Sequence, residues 1–414
     1  MSTSEYQYYV GVDWATEAHR VVVLDATRAP VADQVVEHTG AALTALADEL
    51  ICRVGGEAGR LAVAIEVPRG PVVETLLERG CAVYALNPKQ LDRFRDRYSV
   101  AGAKDDRRDA RVLADALATD RAAFRRLQPD APAVIRLREL GRMEDDLQQE
   151  LTRVANRLRD HLLRFYPQVL ALCPAANEPW VWALLALAPT PAAAQRVSRG
   201  RVAGLLRAHR IRRVTAEGVL AQLRTPAVFV TPGTVEAASE RIAWLLPQLR
   251  LLHAQQRECA HRVEQVLAAL EELPGQLREP RDVTILRSLP GVGRVVAATL
   301  LAEAASALQA RDYHALRTHS GLAPVTRQSG KRRVVTMRYA CHQRLRTAMY
   351  HWGRVSVQCD PHSRRHYAEL RARGHAHARA LRGVVDRLLH ILIAMLKTRT
   401  CYDPSRRRPL EQTA

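Results

Sequence analysis

The sequence predicts an α/β domain at the N-terminus followed by a long, mostly helical remainder. Three observations carry this expectation. Short apolar runs alternate with helix-period stretches over residues 6–126. From Pro129 to about Leu273 the apolar residues recur every three or four positions, with charges between them. The last quarter keeps a helical pattern but turns strongly basic. At 414 residues the chain has room for two or three domains with cores of their own. Residues 1–126, 127–280 and 281–414 are the expected domains, with Pro274 and Pro280 marking the second boundary.

Taken in order, "YQYYVGVDWA", "HRVVVLDA" and "PVADQVVEHT" read as three successive strands, and "TGAALTALADELICRV" as an amphipathic helix. "RLAVAIEV" is a buried strand of Val, Ile and Ala. The helix "PVVETLLERG" and the strand "CAVYAL", ending at Asn87-Pro88, follow it. Three strands and then helix–strand–helix–strand is the order of an RNase H-like α/β domain, an antiparallel meander extended in parallel through helices. "AVIRLRELGRMEDDLQQELTRVANRLRDHLLRFY" and "TVEAASERIAWLLPQLRLLHAQQRECAHRVEQVLAALEEL" are long amphipathic helices bracketing residues 167–232. They read as an antiparallel coiled-coil pair with a helical insertion at its tip, or as an ordinary helical bundle.

The formal charge is +19. Residues 311–414 hold 22 Lys or Arg against 6 Asp or Glu, a net of +16, so most of the excess lies in the last quarter. A localised basic excess is the electrostatic footprint of a nucleic-acid binder. Of the basic residues 58 are Arg and 4 are Lys, a bias that fits GC-rich coding. The seven cysteines are scattered without a CxxC pair, which argues for a reducing cytosol and against a zinc ribbon. Cys359, His362 and His366 give the one zinc-like spacing, and no second cysteine pair completes a tetrahedron. No signal-peptide pattern and no apolar run of ~18 residues occurs, so a soluble, cytoplasmic and nucleoid-associated protein with no membrane partner is expected.

Within this basic chain, "AGAKDDRRDARVLADAL" concentrates three aspartates, Asp105, Asp106 and Asp109. One reading is a capped helix start, neutralised by the arginines that follow. The other is that Asp106 and Asp109, three apart, share one face of a helical turn and hold a hard cation. Asp13 ends the first strand, and Glu66 ends the apolar run "LAVAIEV", where an unpaired charge is costly. In an RNase H-like sheet the first and fourth strands are neighbours, so Asp13 and Glu66 emerge side by side. Four carboxylates from three segments then suffice for two Mg²⁺ ions, the arrangement that stabilises attacking and leaving oxygens in phosphoryl transfer.

Further on, Leu289-Pro290-Gly291-Val292-Gly293 between two apolar helical stretches reads as a helix-hairpin-helix turn. Gly291 and Gly293 permit close backbone approach, and the following helix start, with Arg294, offers amides to a phosphate. A plain helix-packing turn is the alternative. Ser329 stands in a Gln-Ser-Gly flanked by Arg327, Lys331, Arg332 and Arg333. Those cations suit a scissile phosphate and the charge that develops on it.

"VGVDWATEAHRVVVLD", "AIEVPRG", "ALNPKQLDRFR" and "AKDDRRDARVLADAL" closely resemble the DEDD insertion-sequence transposases, relatives of the Piv-type DNA invertases, whose N-terminal domain is RuvC-like. "SGLAPVTRQSG" resembles the transposase domain of the same family. The resemblance implies metal carboxylates at Asp13, Glu66, Asp106 and Asp109, and a nucleophile at Ser329. Asp105 falls where the family often has a non-acidic residue and reads as a cap. Ser320, in its own Ser-Gly pair, falls where the family requires no serine. Pro68-Arg69-Gly70-Pro71 replaces a glycine–aromatic pair common in the family. The implied activity is DNA cleavage and strand exchange through a phosphoserine, at a composite site served by both terminal domains. A homodimer or homotetramer and a structured guide RNA from the element are implied partners. A RuvC-like nuclease using water and a non-catalytic nucleic-acid scaffold are the alternatives.

Overall fold

The structure is a computed structural model that describes residues 6–97, 106–231, 233–272, 281–330 and 332–406. The chain divides into two compact units, Met1–Asp130 and Ala131–Ala414. Lys331 and Asp105 lie outside the described residues.

The first unit runs β1 (Tyr8–Asp13), β2 (Ala18–Asp25), β3 (Pro30–Glu37), α1 (Gly40–Arg53), β4 (Leu61–Ile65), α2 (Pro71–Glu78), β5 (Ala82–Ala85), α3 (Pro88–Arg95), α4 (Asp106–Thr119) and β6 (Arg125–Arg126). Among the described residues these strands form one mixed sheet in the order β3-β2-β1-β4-β5-β6. The first three strands are antiparallel, while β4 and β5 are added in parallel beside β1. β4 is buried at all five positions, which its uninterrupted apolar run requires of a strand covered on both faces. Val10, Val12, Val63 and Ile65 pack on the side of α1 and α2, whereas Tyr9, Ala62 and Ala64 pack on the side of α4. The edge strand β6 is two exposed arginines, too short and too polar to read as a strand.

The second unit begins with α5 (Pro132–Phe165), then α6 (Gln168–Leu172), α7 (Pro179–Leu187), α8 (Pro191–Arg196), α9 (Arg199–Ala208) and α10 (Ala216–Leu223). The long α11 (Thr234–Glu272) returns antiparallel to α5: Gln256 donates to Gln148 at 2.5 Å, and the Cys259 thiol lies 3.3 Å from the Leu140 carbonyl. At one end the pair encloses α6–α10 in a core that includes Leu158, Trp180 and Leu249. At the other end Leu137, Leu140, Val263 and Leu267 join a second core. That core is completed by α12 (Asp282–Ser288), α13 (Arg294–Glu303), α14 (Ala305–Gln309), α15 (Tyr313–His319), α16 (Gln343–Cys359), α17 (Pro361–Ala372) and α18 (His377–Thr398). A hairpin of β7 (Val325–Ser329) and β8 (Arg332–Thr336) interrupts these helices. Two cores share one pair of helices, which is why the helical middle and the basic end form a single unit.

Candidate active site

Parallel pairing sets Val12 opposite Ile65, so the next residues, Asp13 and Glu66, leave adjacent strands at the same edge of the sheet. By the strand's two-residue alternation both fall on the α4 side, with Tyr9, Gly11, Ala62 and Ala64. Gly11 is the reason α4 sits where it does. A Cβ there would collide with the Ala110 carbonyl oxygen and come within 2.8 Å of the Ala114 nitrogen, so the helix backbone lies directly on the strand. Arg121, just past the end of α4, covers the ring of Tyr6, just before β1, at 5.6 Å. The helix therefore runs antiparallel to β1 and brings its first turn, with Asp106 and Asp109, to the Asp13 edge. Arg107 in that turn pairs with Asp33 of β3.

Four carboxylates thus reach one edge of one face, but they do not close into a cluster. Among the described residues no group of three His, Cys, Asp or Glu side chains stands in metal-holding geometry. Asp13 and Glu66 are half-buried, Asp106 is exposed, and Asp109 is buried at 1 % exposure. Asp109 is held by a residue that sequence patterning did not single out. Arg95, at the end of α3, donates from Nε to Oδ1 at 2.5 Å and from Nη2 to Oδ2 at 2.7 Å, while its Nη1 reaches Asp92 at 2.6 Å. The donor set is all hard carboxylate oxygen and fits a Mg²⁺-like cation by chemistry. In this form Arg95 supplies the positive charge at Asp109.

That pairing gives Asp109→Asn two expected effects. Chemical denaturation should show a loss of about 2 kcal/mol, below the ~3–5 of a fully buried pair because Arg95 keeps Asp92 and part of its surface in water. Divalent-ion affinity should fall as well, as read by titration calorimetry with Mn²⁺. Unchanged stability would mean that the Arg95 contact contributes nothing.

Ser329 lies in the other unit. It ends β7, its backbone pairs with Arg332, and Gly330 at φ +54° begins the tight turn between the strands. Ser329 is exposed, and among the described residues its hydroxyl makes no hydrogen bond. Directly opposite residues of an antiparallel pair share a face. Ser329 therefore shares a face with Arg332 and, two residues back, with Arg327, while Arg333 sits opposite Gln328 on the other face. All three arginines are exposed, and none meets a carboxylate among the described residues. Ser320, by contrast, is buried, and its hydroxyl donates to the Leu316 carbonyl at 2.7 Å.

The glycine-rich turn before α13 faces inward at one position and outward at another. Gly291 has φ +79°, and a Cβ there would stand 2.5 Å from the Ser356 hydroxyl and 2.7 Å from its backbone nitrogen, so the close approach it permits is to α16. The adjacent Pro290 carbonyl accepts from the Trp352 indole at 2.9 Å. Arg294 is committed to Glu144 of α5 through two bonds of 2.6 Å, which hold its guanidinium protonated more firmly than usual. Gly293, exposed and uncrowded at the start of α13, remains open to solvent. At the zinc-like spacing, Asp360 caps α17 through the Ser363 amide at 3.0 Å, and His366 lies 3.6 Å from Glu369.

A mixed sheet in this order, with acidic residues at the ends of its first and fourth strands, fits the RuvC-like DEDD type of domain. The sequence pattern of IS110 transposases of the DEDD type matches residues 10–167, and that of the IS116/IS110/IS902 transposases matches residues 283–368. The chain belongs to the IS110 family of insertion-sequence transposases. Along its whole length it is 32 % identical to the inferred mini-circle transposase for IS117 of Streptomyces coelicolor, over 415 residues and 98 % of each chain. It is 46 % identical over 215 residues to the inferred transposase y4uE of Sinorhizobium fredii, a match covering 52 % of this chain and 60 % of that one. A protein of insertion element IS116 from Streptomyces clavuligerus is 29 % identical over 429 residues, all of both chains. Transposases are DNA-processing enzymes, and the DEDD type implies dependence on a divalent metal. Among the described residues no helix is long and apolar enough to cross a membrane.

Proposed function

We propose that this protein cuts and rejoins DNA through a covalent bond between Ser329 and a DNA phosphate. The Oγ–P bond forms as the bond from phosphorus to a sugar oxygen breaks. That oxygen leaves with a proton, and reversal onto a second DNA end completes strand exchange. Arg327 and Arg332, on the face of Ser329, bind the phosphate and offset the charge that builds on it. Asp13, Glu66, Asp106 and Asp109 are the residues that would hold a divalent metal, read here as two Mg²⁺, whose chemistry is to neutralise phosphate charge and activate oxygen. Arg95 must then release Asp109.

The observation that carries this reading is the exposed Ser329 hydroxyl, which among the described residues makes no hydrogen bond and is flanked by arginines that meet no carboxylate. Exchange joins several ends, so we place the working form as a dimer or tetramer assembled through the α5–α11 helix pair. A structured RNA from the element, pairing with donor and target DNA, is part of the same reading. The basic end of the chain suits RNA as well as DNA. Gly293, the exposed arginines of the Ser329 hairpin and Lys331, which lies outside the described residues, are the proposed DNA-backbone contacts.

The test is a denaturing gel of labelled element-end DNA incubated with the protein in Mg²⁺ and in chelator. A protein–DNA band that survives denaturation, present only with Mg²⁺, is expected. Cut DNA without such a band would overturn the phosphoserine and favour a water-using nuclease. The two hairpin faces make a further distinction. Arg332→Ala should slow formation of the band, whereas Arg333→Ala should mainly weaken binding and lower the log–log salt slope by about 0.9, the contribution of one phosphate contact. Equal effects of the two variants on both measurements would show that the faces are equivalent.

A further inference from the structure

Beside the Ser329 hairpin the second unit contains a cavity of about 260 Å³, set between the turn at Gly321, α16 and the start of α18. Its floor is apolar, formed by Leu322, Met349 and Leu381. Two arginines stand on its wall, Arg346 and Arg382. Neither meets a carboxylate among the described residues. Arg346 spends Nη2 on the Arg338 and Tyr339 carbonyls at 2.7 and 3.0 Å, and its Nε is buried without a partner. Among the described residues Arg382 makes a single hydrogen bond, to the Met337 sulfur at 3.2 Å. Burial and the neighbouring Arg379 and Arg346 lower its affinity for its own proton. Two half-buried cations at an apolar cavity form an unbalanced arrangement, since buried charge normally finds an opposite charge. An anion with an apolar part corrects both deficits.

Size, aromatic content and location narrow the choice. The volume lies below the ~300–1,000 Å³ of sites that enclose a whole drug-sized ligand, so the occupant is one small group on something larger. Tyr350, 43 % exposed, lines the cavity with its ring edge-to-face against His351 at 5.8 Å, and Arg346 covers the Tyr339 ring at 5.5 Å. Met337, the residue after β8, lines the cavity, so a strand lying along the arginines of the hairpin reaches the opening without a gap. A nucleotide is the anion that fits: a flat, largely apolar base on a phosphate.

We infer that this cavity receives one unstacked base of a DNA strand, while Arg346 and Arg382 hold the phosphate attached to it. The inference rests on the reading that the protein handles DNA and adds a position where the duplex must open. Extruding a base costs a few kcal/mol unless it is already unpaired, so sites with a bulge or an easily opened step would be preferred. Arg346 and Arg382 act as positioning residues, fixing the strand that runs onto the hairpin.

The experiment measures equilibrium binding of the full chain in chelator, where no cleavage proceeds. Three labelled DNAs are used: a paired duplex, the duplex with a single 2-aminopurine bulge, and the same bulge made abasic. The bulged base is expected to bind about tenfold more tightly than the abasic bulge of equal charge, within the range that one stacked base contributes. The 2-aminopurine emission should change on binding. Tyr350→Ala and Arg382→Gln should each shrink the tenfold preference, with both variants compared at a urea midpoint equal to that of the parent. Equal affinity for the base and abasic bulges would overturn the inference, as would a preference that survives both substitutions. Because no covalent step is involved, either result leaves the phosphoserine reading intact. Failure to bind any of the three DNAs would also overturn the inference, while the denaturing gel on element-end DNA decides the phosphoserine reading separately.

Discussion

Ser329→Ala is expected to remove the denaturation-resistant protein–DNA band and recombination together, with a fall in rate of about 10³-fold or more, the scale on which loss of a covalent nucleophile registers. The hydroxyl sits at the end of an exposed hairpin and takes part in no core contact, so the variant should fold and bind DNA as the parent does. A serine hydroxyl is a poor nucleophile near neutral pH and depends on activation, so withdrawing divalent metal should give the same phenotype as the alanine. Gln328→Ala, one residue away on the opposite face of the hairpin, is the control and should keep most of the activity. A band persisting in Ser329→Ala but lost in Gln328→Ala would move the nucleophile elsewhere.

The second large effect is structural. Gly11→Ala places one methyl group where the backbone of α4 already lies. Ordinary overpacking costs ~1–3 kcal/mol because side chains can give way, and here the obstacle is a carbonyl and an amide of a helix. A loss above that range is expected, read as a fall in the urea midpoint of the first unit. The helix must lift from β1, so Asp106 and Asp109 move away from Asp13 and Glu66, and divalent-ion binding falls with stability. A midpoint within error of the parent would show that α4 does not rest on Gly11.

The strands that carry Asp13 and Glu66 were legible because each is an apolar run ending abruptly in an acid. Once β1 and β4 are neighbours, the adjacency of the two carboxylates follows from register alone. The mixed sheet and the helical remainder followed from periodicity in the same way. Three features were not legible, each for a physical reason. Gly11 carries no patterning signal, since a close approach is announced only by the absence of a side chain. The Arg95–Asp109 pair joins two helices across an interval without periodicity, and one arginine among 58 has no distinguishing context. The Ser329 hairpin is exposed on both faces, so its strands lack the alternation that half-burial imposes and give no strand signal. Gly291 illustrates a different limit. Its need for positive φ is readable from the sequence, while the residues it makes room for, Trp352 and Ser356 of α16, lie more than sixty residues away.

The α5–α11 pair has a mechanical consequence. α5 alone has 34 residues, which at 1.5 Å per residue makes a rod about 50 Å long. It is clamped at one end by the core around Trp180 and at the other by the core around Leu267. Rotating such a rod by about 5° at one clamp carries its far end about 4 Å, more than the length of a hydrogen bond. The five short helices at one end are thus geared to the basic end of the unit, and a small rotation of them arrives there as a larger displacement. Pro247, inside α11 and unable to donate to the carbonyl four residues before it, is the point where that gearing has give.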